Sequence, residues 1–453
     1  MNRAATRACI ALTATLGLAL TGACAPGSDD SSSTPEVKPS DVSTDVASLG
    51  NVTLKIWDQE VRGGQAAAIE KINATFQDKY PNITIDRTAK SFDDLRKTLS
   101  LAITDNDPPD LVEANNGRSD MGAFVAAGLL LPLDSYADAY GWTDRIPASV
   151  RALASYSDDG KTFGQGSLYG LSQVGEVVGV YYNKSKLSDL GLQPPKTLDE
   201  FEAALAKAKK AGEIPIQFGD LDGWPGIHEF GFLQNQYVPR DQIHDLAFGI
   251  PGASWTSPEN TDAAKTLDSW VNDGYFTPGA VGLGYDPAWQ AFGKGQGVFL
   301  ISGTWLAADL VNTPLGNGFG FMLPPVGPSG ELTVTGGTGL PFSITAASDE
   351  ADAAAAYINF VVSPEAMKIV ADTGGLPVVD ADKQQVSGPQ TDLFSAWSQA
   401  TSQNALVPYL DYATPDFYDL LTADVQKLIG GKADPETFLS DLQSEYTSFT
   451  SGG

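Results

Sequence analysis

Between residues 52 and 112 the chain alternates between strand and helix patterns, which narrows the folds open to it. Val52-Thr53-Leu54-Lys55-Ile56-Trp57 has apolar residues at alternate positions, the period of a strand with one buried face. Over residues 66–80, Ile69, Ile72 and Phe76 fall on one helical face, and Pro81 ends the helix. Ile83-Thr84-Ile85 predicts a second strand and residues 92–103 a second helix. Pro108-Pro109-Asp110 turns into Leu111-Val112, a short buried strand. The order β-α-β-α-β implies a mostly parallel sheet covered by helices. Such sheets bind ligands at the carboxyl ends of their strands. Those ends carry Asp58 and Gln59 after the first strand, and Asn115 and Asn116 after the third.

A second α/β stretch starts near residue 170. Residues 177–182 predict a strand and residues 214–218 another, with a helix over 197–210 between them. Thr197 is its N-cap, Glu200 follows three residues later as in a capping box, and Gly212 lies beyond its end. Further helices are expected at 262–272, 350–362, 364–372, 414–428 and 435–446. In residues 292–305, Phe-Gly-Lys-Gly-Gln-Gly leads into the strand Val298-Phe299-Leu300-Ile301, and Ser302-Gly303-Thr304-Trp305 follows.

The first 23 residues read as a signal peptide. Arg3 and Arg7 give a positive start, and residues 8–20 form an apolar run too short to span a bilayer. Leu20-Thr21-Gly22-Ala23-Cys24 resembles a bacterial lipobox, which makes Cys24 the expected lipidation site. The two cysteines are Cys9 and Cys24, so no disulfide framework or cysteine metal site is expected in the folded part. Residues 24–50 are rich in Ser, Asp and Pro and lack aromatics, the composition of a disordered tether. A flexible tether of that length reaches on the order of 30 Å. The net charge of −28 argues against nucleic acid and against anionic lipid surfaces. Membrane association is therefore expected through the lipid anchor alone.

Several motifs fail. Gly160-Lys161-Thr162 is not a phosphate loop, because Ser155 stands where the leading glycine is needed. Gly293-Lys294-Gly295 lacks a Ser or Thr after its lysine. No complete G-x-S-x-G occurs. His228 and His244 have no cysteine neighbours, so a His/Cys zinc site is not expected and both read as surface or hydrogen-bonded residues.

Four separated blocks resemble one family. Val180-Tyr181-Tyr182-Asn183-Lys184 with the run from Gly191 to Phe201 is similar to its "YYNK…GL.PPKTWDEF" block, with Leu198 in place of Trp. Phe292 to Trp305 resembles "F..GKAAM…GSW". Gly336-Gly337, Ser363-Pro364-Glu365-Ala366 and Thr373-Gly374-Gly375-Leu376-Pro377-Val378 resemble "GG…SPEAQ…TGYLPV". The run from Gly430 to Glu436 resembles the C-terminal "G..TPEEAL". The family is the extracellular solute-binding proteins of carbohydrate ABC importers, of the maltodextrin-binding type.

The resemblance implies an α/β, two-lobe, periplasmic-binding-protein-like fold with a hinge of crossing segments and an interlobe ligand cleft. It places lobe 1 at 51–172 and 336–375, and lobe 2 at 173–335 and 376–453. The expected function is capture of a sugar or oligosaccharide and delivery to an ABC permease by hinge closure, without chemistry, cofactor or metal. The expected protein is a monomer at the extracytoplasmic face of the bacterial cell membrane. Sugar rings need flat aromatics for their faces and carboxylates or amides for their edges. By resemblance Trp305, Trp224 and Glu176 contact ligand, with Asp58, Gln59, Asn115 and Asn116 on the strand-end loops and Gly337 and Thr338 on the return crossing. Tyr285, Asp286, Tyr409, Asp411 and Tyr412 are weaker candidates. Two alternatives remain: the same fold binding a non-sugar solute such as a polyamine, and a cell-surface glycoside hydrolase.

Overall fold

The computed structural model describes residues 37–452. The signal segment 1–23, Cys24 and the tether as far as residue 36 lie outside the described residues. The strands of the first half are β1 (Val52–Asp58), β2 (Ile83–Ala89), β3 (Leu111–Glu113), β4 (Ser155–Tyr156), β5 (Ser167–Leu168) and β6 (Gly175–Asn183). Those of the second half are β7 (Phe299–Gly303), β8 (Phe319–Met322), β9 (Val334–Thr338), β10 (Phe342–Ile344) and β11 (Leu406–Val407).

Two sheets organise two α/β lobes. The first has the order β10-β3-β1-β2. Its β1 runs parallel to β2 and β3, as the β-α-β-α-β pattern predicts, while β10 returns antiparallel beside β3. The second sheet is built on β6, which pairs antiparallel with β7, β8 and β9, and β11 lies parallel to β9. Three chain segments run side by side between the sheets. Leu171 bridges Phe342, Val174 bridges Pro377, and the Gly175 N–H donates to the Leu376 carbonyl at 2.8 Å.

Apolar periodicity places the helices. Helix Gly63–Lys79 buries Ile69, Ile72 and Phe76, and the Phe76 ring meets Tyr357 edge-on at 5.3 Å. Each such side chain contributes about 1.5–3 kcal/mol on full burial. Helix Leu198–Lys210 begins at the expected cap: the Glu200 N–H donates to Thr197 Oγ1 at 3.2 Å, while Glu200 Oε2 accepts from the N–H of Lys196, one residue before the cap, at 2.8 Å. Helices Pro258–Asn272, Ala351–Val361, Pro364–Asp372, Phe417–Ile429 and Pro435–Ser451 stand within a few residues of their predicted positions.

Three differences have physical causes. The disordered tether does not extend to residue 50. Val46 is 4% exposed, and Val37, Val42 and Leu49 pack against the core. The Ser43 N–H also donates to Asp352 at 3.2 Å. A few well-spaced apolar residues dock a segment whose composition is otherwise that of a linker. Residues 214–218 do not form a regular strand; Ile216 makes isolated bridges to Phe276 and Phe299. Pro215 has no N–H for a ladder. Finally, helix Trp224–Tyr237 stands where the sequence pattern predicts none, and Pro225 sits in its first turn, where a missing N–H costs nothing.

Candidate functional site

Between the two lobes lies a cavity of about 680 Å3 including its open mouth. Gln59, Asn115 and Trp305 reach it from just beyond the carboxyl ends of β1, β3 and β7. Arg62, Gln65 and Phe92 join them from the first lobe. Glu176, Thr338 and Leu340 line it from the crossing segments. The second lobe supplies Trp224, Ile227, His228, Tyr409, Asp411, Tyr412 and Tyr418.

Trp305 arrives by a short, well-defined route. Helix Tyr285–Gly293 ends beside Gly295 and Gly297, whose φ angles are +89° and +76°. A side chain at Gly297 would also press on Gln217, its Cβ 2.7 Å from that residue's Cβ. These glycines turn the chain into β7, and a 3-10 turn at Thr304–Leu306 follows the strand. The Trp305 Nε1–H donates to Tyr285 Oη at 2.8 Å, and Tyr285 Oη meets Ser302 Oγ at 2.8 Å. Trp224 stands 6.3 Å from Trp305 in a T-shaped arrangement, and His228 lies 5.5 Å from Trp305. Across the cleft, Phe92 approaches Trp224 at 6.5 Å and Tyr418 at 6.3 Å.

Polar groups sit at the edges of these rings. Tyr409 Oη donates to Glu176 Oε2 at 3.1 Å. Burial pushes the Glu176 carboxyl up to about 7, against the opposing effects of the Tyr409 bond and Arg62. Burial likewise raises Asp411 to about 6 and lowers His228 to about 4, so the imidazole is neutral at pH 7. Asn115 is oriented by its Nδ2 donating to Asp120 at 3.1 Å. The result is a chamber of aromatic faces with acceptors and amides around it, which suits a flat polyhydroxylated ligand.

The remaining candidates lie around this chamber. Asp58 is fully buried and accepts Arg87 Nε at 2.6 Å and Nη2 at 2.7 Å. It is committed to that ion pair and does not line the cavity. Asn116 donates to the Leu153 carbonyl at 2.6 Å and accepts from Tyr412 at 3.4 Å. Gly337 pairs with Glu176 in the β6–β9 register, at a φ of +151°. Tyr285 stands behind Trp305 as its hydrogen-bond acceptor. Asp286 pairs with Arg62 at 3.3 Å across the lobes. The sequence reading did not name Arg62, Gln65, Phe92, Ile227, Leu340 or Tyr418. It read His228 as a surface or hydrogen-bonded residue, yet the ring lies among cavity aromatics. The Trp224-Pro225 pair carried a usable signal: proline favours the first helical turn. A helix starting there puts residues 224 and 228 on one face.

Comparison with known proteins follows the same lines. The family described as Bacterial extracellular solute-binding protein matches residues 60–368. The chain belongs to this family. Among relatives of the solute-binding protein, the Multiple sugar-binding protein of Streptococcus mutans is 24% identical, covering 76% of this chain and 79% of that one. The Mannitol-binding protein of Pseudomonas aeruginosa is 25% identical, covering 70% of each chain. A solved Chitin oligosaccharide binding protein superimposes with a TM-score of 0.75 at 24% identity, covering 89% of this chain and 100% of that one. The two-lobe fold is shared with that structure. No described helix is long and apolar enough to cross a membrane.

Proposed function

We propose that this solute-binding protein captures a sugar or short oligosaccharide in the interlobe cavity and hands it to an ABC permease. The carrying observation is the chamber itself, where Trp224, Trp305 and Tyr409 surround a space edged by Glu176, Asp411 and Asn115. Relatives named for sugars and for mannitol support the same ligand class. The lobes proposed are 51–172 with 336–375 and 173–335 with 376–453, with the docked residues 37–50 added to the first. Trp305, Trp224, Glu176, Gln59, Asn115 and Thr338 contact the ligand directly. Asp58, Asn116, Gly337, Tyr285 and Asp286 hold the walls. The protein works by binding without turnover, as a lipid-anchored monomer held through Cys24. Ligand selects the closed state because only there do both lobes touch it.

A thermal-shift panel of mono- and disaccharides, maltodextrins, xylo- and cello-oligosaccharides and polyamines tests this reading. A ligand at 100 times its Kd stabilises the folded state by about 2.7 kcal/mol. A rise in Tm with a carbohydrate, and at least tenfold weaker binding by Trp305→Ala, is the expected pair of results. A shift with polyamines alone would overturn the sugar assignment.

A further inference from the structure

A second cavity, about 470 Å3 including its mouth, lies behind the first and shares Gln65, Glu176 and Trp305 with it. Its walls are aliphatic: Ala68, Ile69 and Ile72 from helix Gly63–Lys79, and Val370 and Leu376 opposite. Its polar lining side chains include Glu60 at 2% exposure and Gln173 at 3%. Gln173 Nε2 donates to Glu60 Oε1 at 3.2 Å and to Glu113 Oε1 at 3.4 Å. The second carboxyl oxygen of Glu60, Oε2, and the amide oxygen of Gln173, Oε1, are buried without a hydrogen-bond partner among the described residues. Unpartnered buried oxygens are uncommon in folded proteins and call for an explanation.

We propose that this rear cavity is a second compartment of the ligand site, and that it takes the hydroxymethyl arm of a sugar ring stacked on Trp305. The proposal rests on the sugar-receptor reading. The aliphatic walls suit the methylene, and the two free oxygens suit the hydroxyl. Burial, with Asp58 and Glu176 nearby, pushes Glu60 up to about 8. It therefore carries a proton at neutral pH and can donate to the arm, while Gln173 Oε1 accepts from it. An anionic arm fits poorly. Arg87 is held by Asp58 at 2.6 Å and Arg62 by Asp286 at 3.3 Å, so neither offers a free charge.

Sugar pairs that differ only by hydroxymethyl arms give the test: D-glucose with D-xylose, D-galactose with L-arabinose, and cellobiose with xylobiose, which differ by one arm on each ring. Binding is measured by thermal shift and calorimetry for the wild type and Ala68→Leu, which fills the rear cavity. The wild type should bind the arm-bearing member of at least one pair tenfold or more tightly. Ala68→Leu should bring that pair within threefold while keeping affinity for the armless sugar. Val370→Leu, one methylene larger on the opposite wall, gives the same readout if Ala68→Leu does not fold. Equal wild-type binding within every pair, or equal weakening of both members by the variants, overturns the proposal and leaves the receptor reading standing. No wild-type binding of any sugar overturns both.

Discussion

Gly303→Ala separates a ring that is positioned from one that is merely present. The backbone at Gly303 has φ −87° and ψ 169°, a conformation open to any residue. Alanine therefore costs nothing there through the main chain. Its Cβ, however, would lie 1.8 Å from Trp305 Cζ3, 2.1 Å from Cε3 and 2.3 Å from Cη2. Carbon atoms rest at about 3.5–4.0 Å, so the indole must move by roughly 2 Å. Such a shift breaks the 2.8 Å bond from Trp305 to Tyr285 and tilts the stacking face. Strain from an added methyl in a packed site costs about 1–3 kcal/mol. A loss of about 1.4 kcal/mol in binding is a tenfold weaker Kd. Titration calorimetry with a sugar found by the thermal-shift panel should show at least that loss, together with a changed near-ultraviolet circular dichroism signal from the indole. In a Trp305→Phe background the smaller ring leaves room, and Gly303→Ala should then add less than a threefold effect. Unchanged affinity and an unchanged spectrum for the single variant would refute the positioning role.

Three further outcomes follow from the same geometry. Arg87→Ala leaves Asp58 buried without its cation and should cost about 3–5 kcal/mol in urea unfolding; a loss under about 1 kcal/mol would mean that the pair is dispensable. Glu176 is raised to about 7, so its carboxyl is neutral below that pH and charged above it. Its contribution to stability is present below the unfolded value of about 4.3 and is lost as pH rises through 7. A charged acceptor binds hydroxyls more strongly by about 1 kcal/mol, so affinity for a sugar without a hydroxymethyl arm should rise roughly three- to fourfold between pH 6 and 8, and Glu176→Gln should flatten that rise. Arg62→Ala removes a partly exposed interlobe pair with Asp286, worth about 0.2–1 kcal/mol. Small-angle scattering of the unliganded variant should show a larger radius of gyration; an identical profile would mean the pair does not hold the lobes together.

Much of the fold was legible because its signals are local. Alternation in residues 52–57, the helical spacing of Ile69, Ile72 and Phe76, and Pro81 together specify one β-α unit. The capping box at Thr197 and Glu200 marked a helix start to the residue. The two-lobe architecture was implied only by the resemblance of four blocks to a known family. Linker composition misled at residues 37–50, because four apolar side chains find a surface that sequence does not reveal.

Candidate site residues were legible only in part. Strand-end position pointed to Gln59 and Asn115, and family resemblance to Glu176, Trp224, Thr338 and Trp305; all six line the cavity. Asp58 has the same credentials one position before Gln59, but the parallel pairing of β1 with β2 brings Arg87 within its reach. Which cation meets which acid depends on pairing between distant strands. The polar cluster at the rear cavity was equally hidden: Glu60, Glu113 and Gln173 are far apart in the chain and meet only where a crossing segment passes the ends of β1 and β3. By itself the sequence determined the elements, their order and the supply of aromatic and acidic side chains, since those follow from short-range periodicity and capping. Only the tertiary structure decided which side chains face ligand, which neutralise one another, and that Gly303 leaves room for the indole. Those outcomes depend on contacts between segments that propensity does not encode.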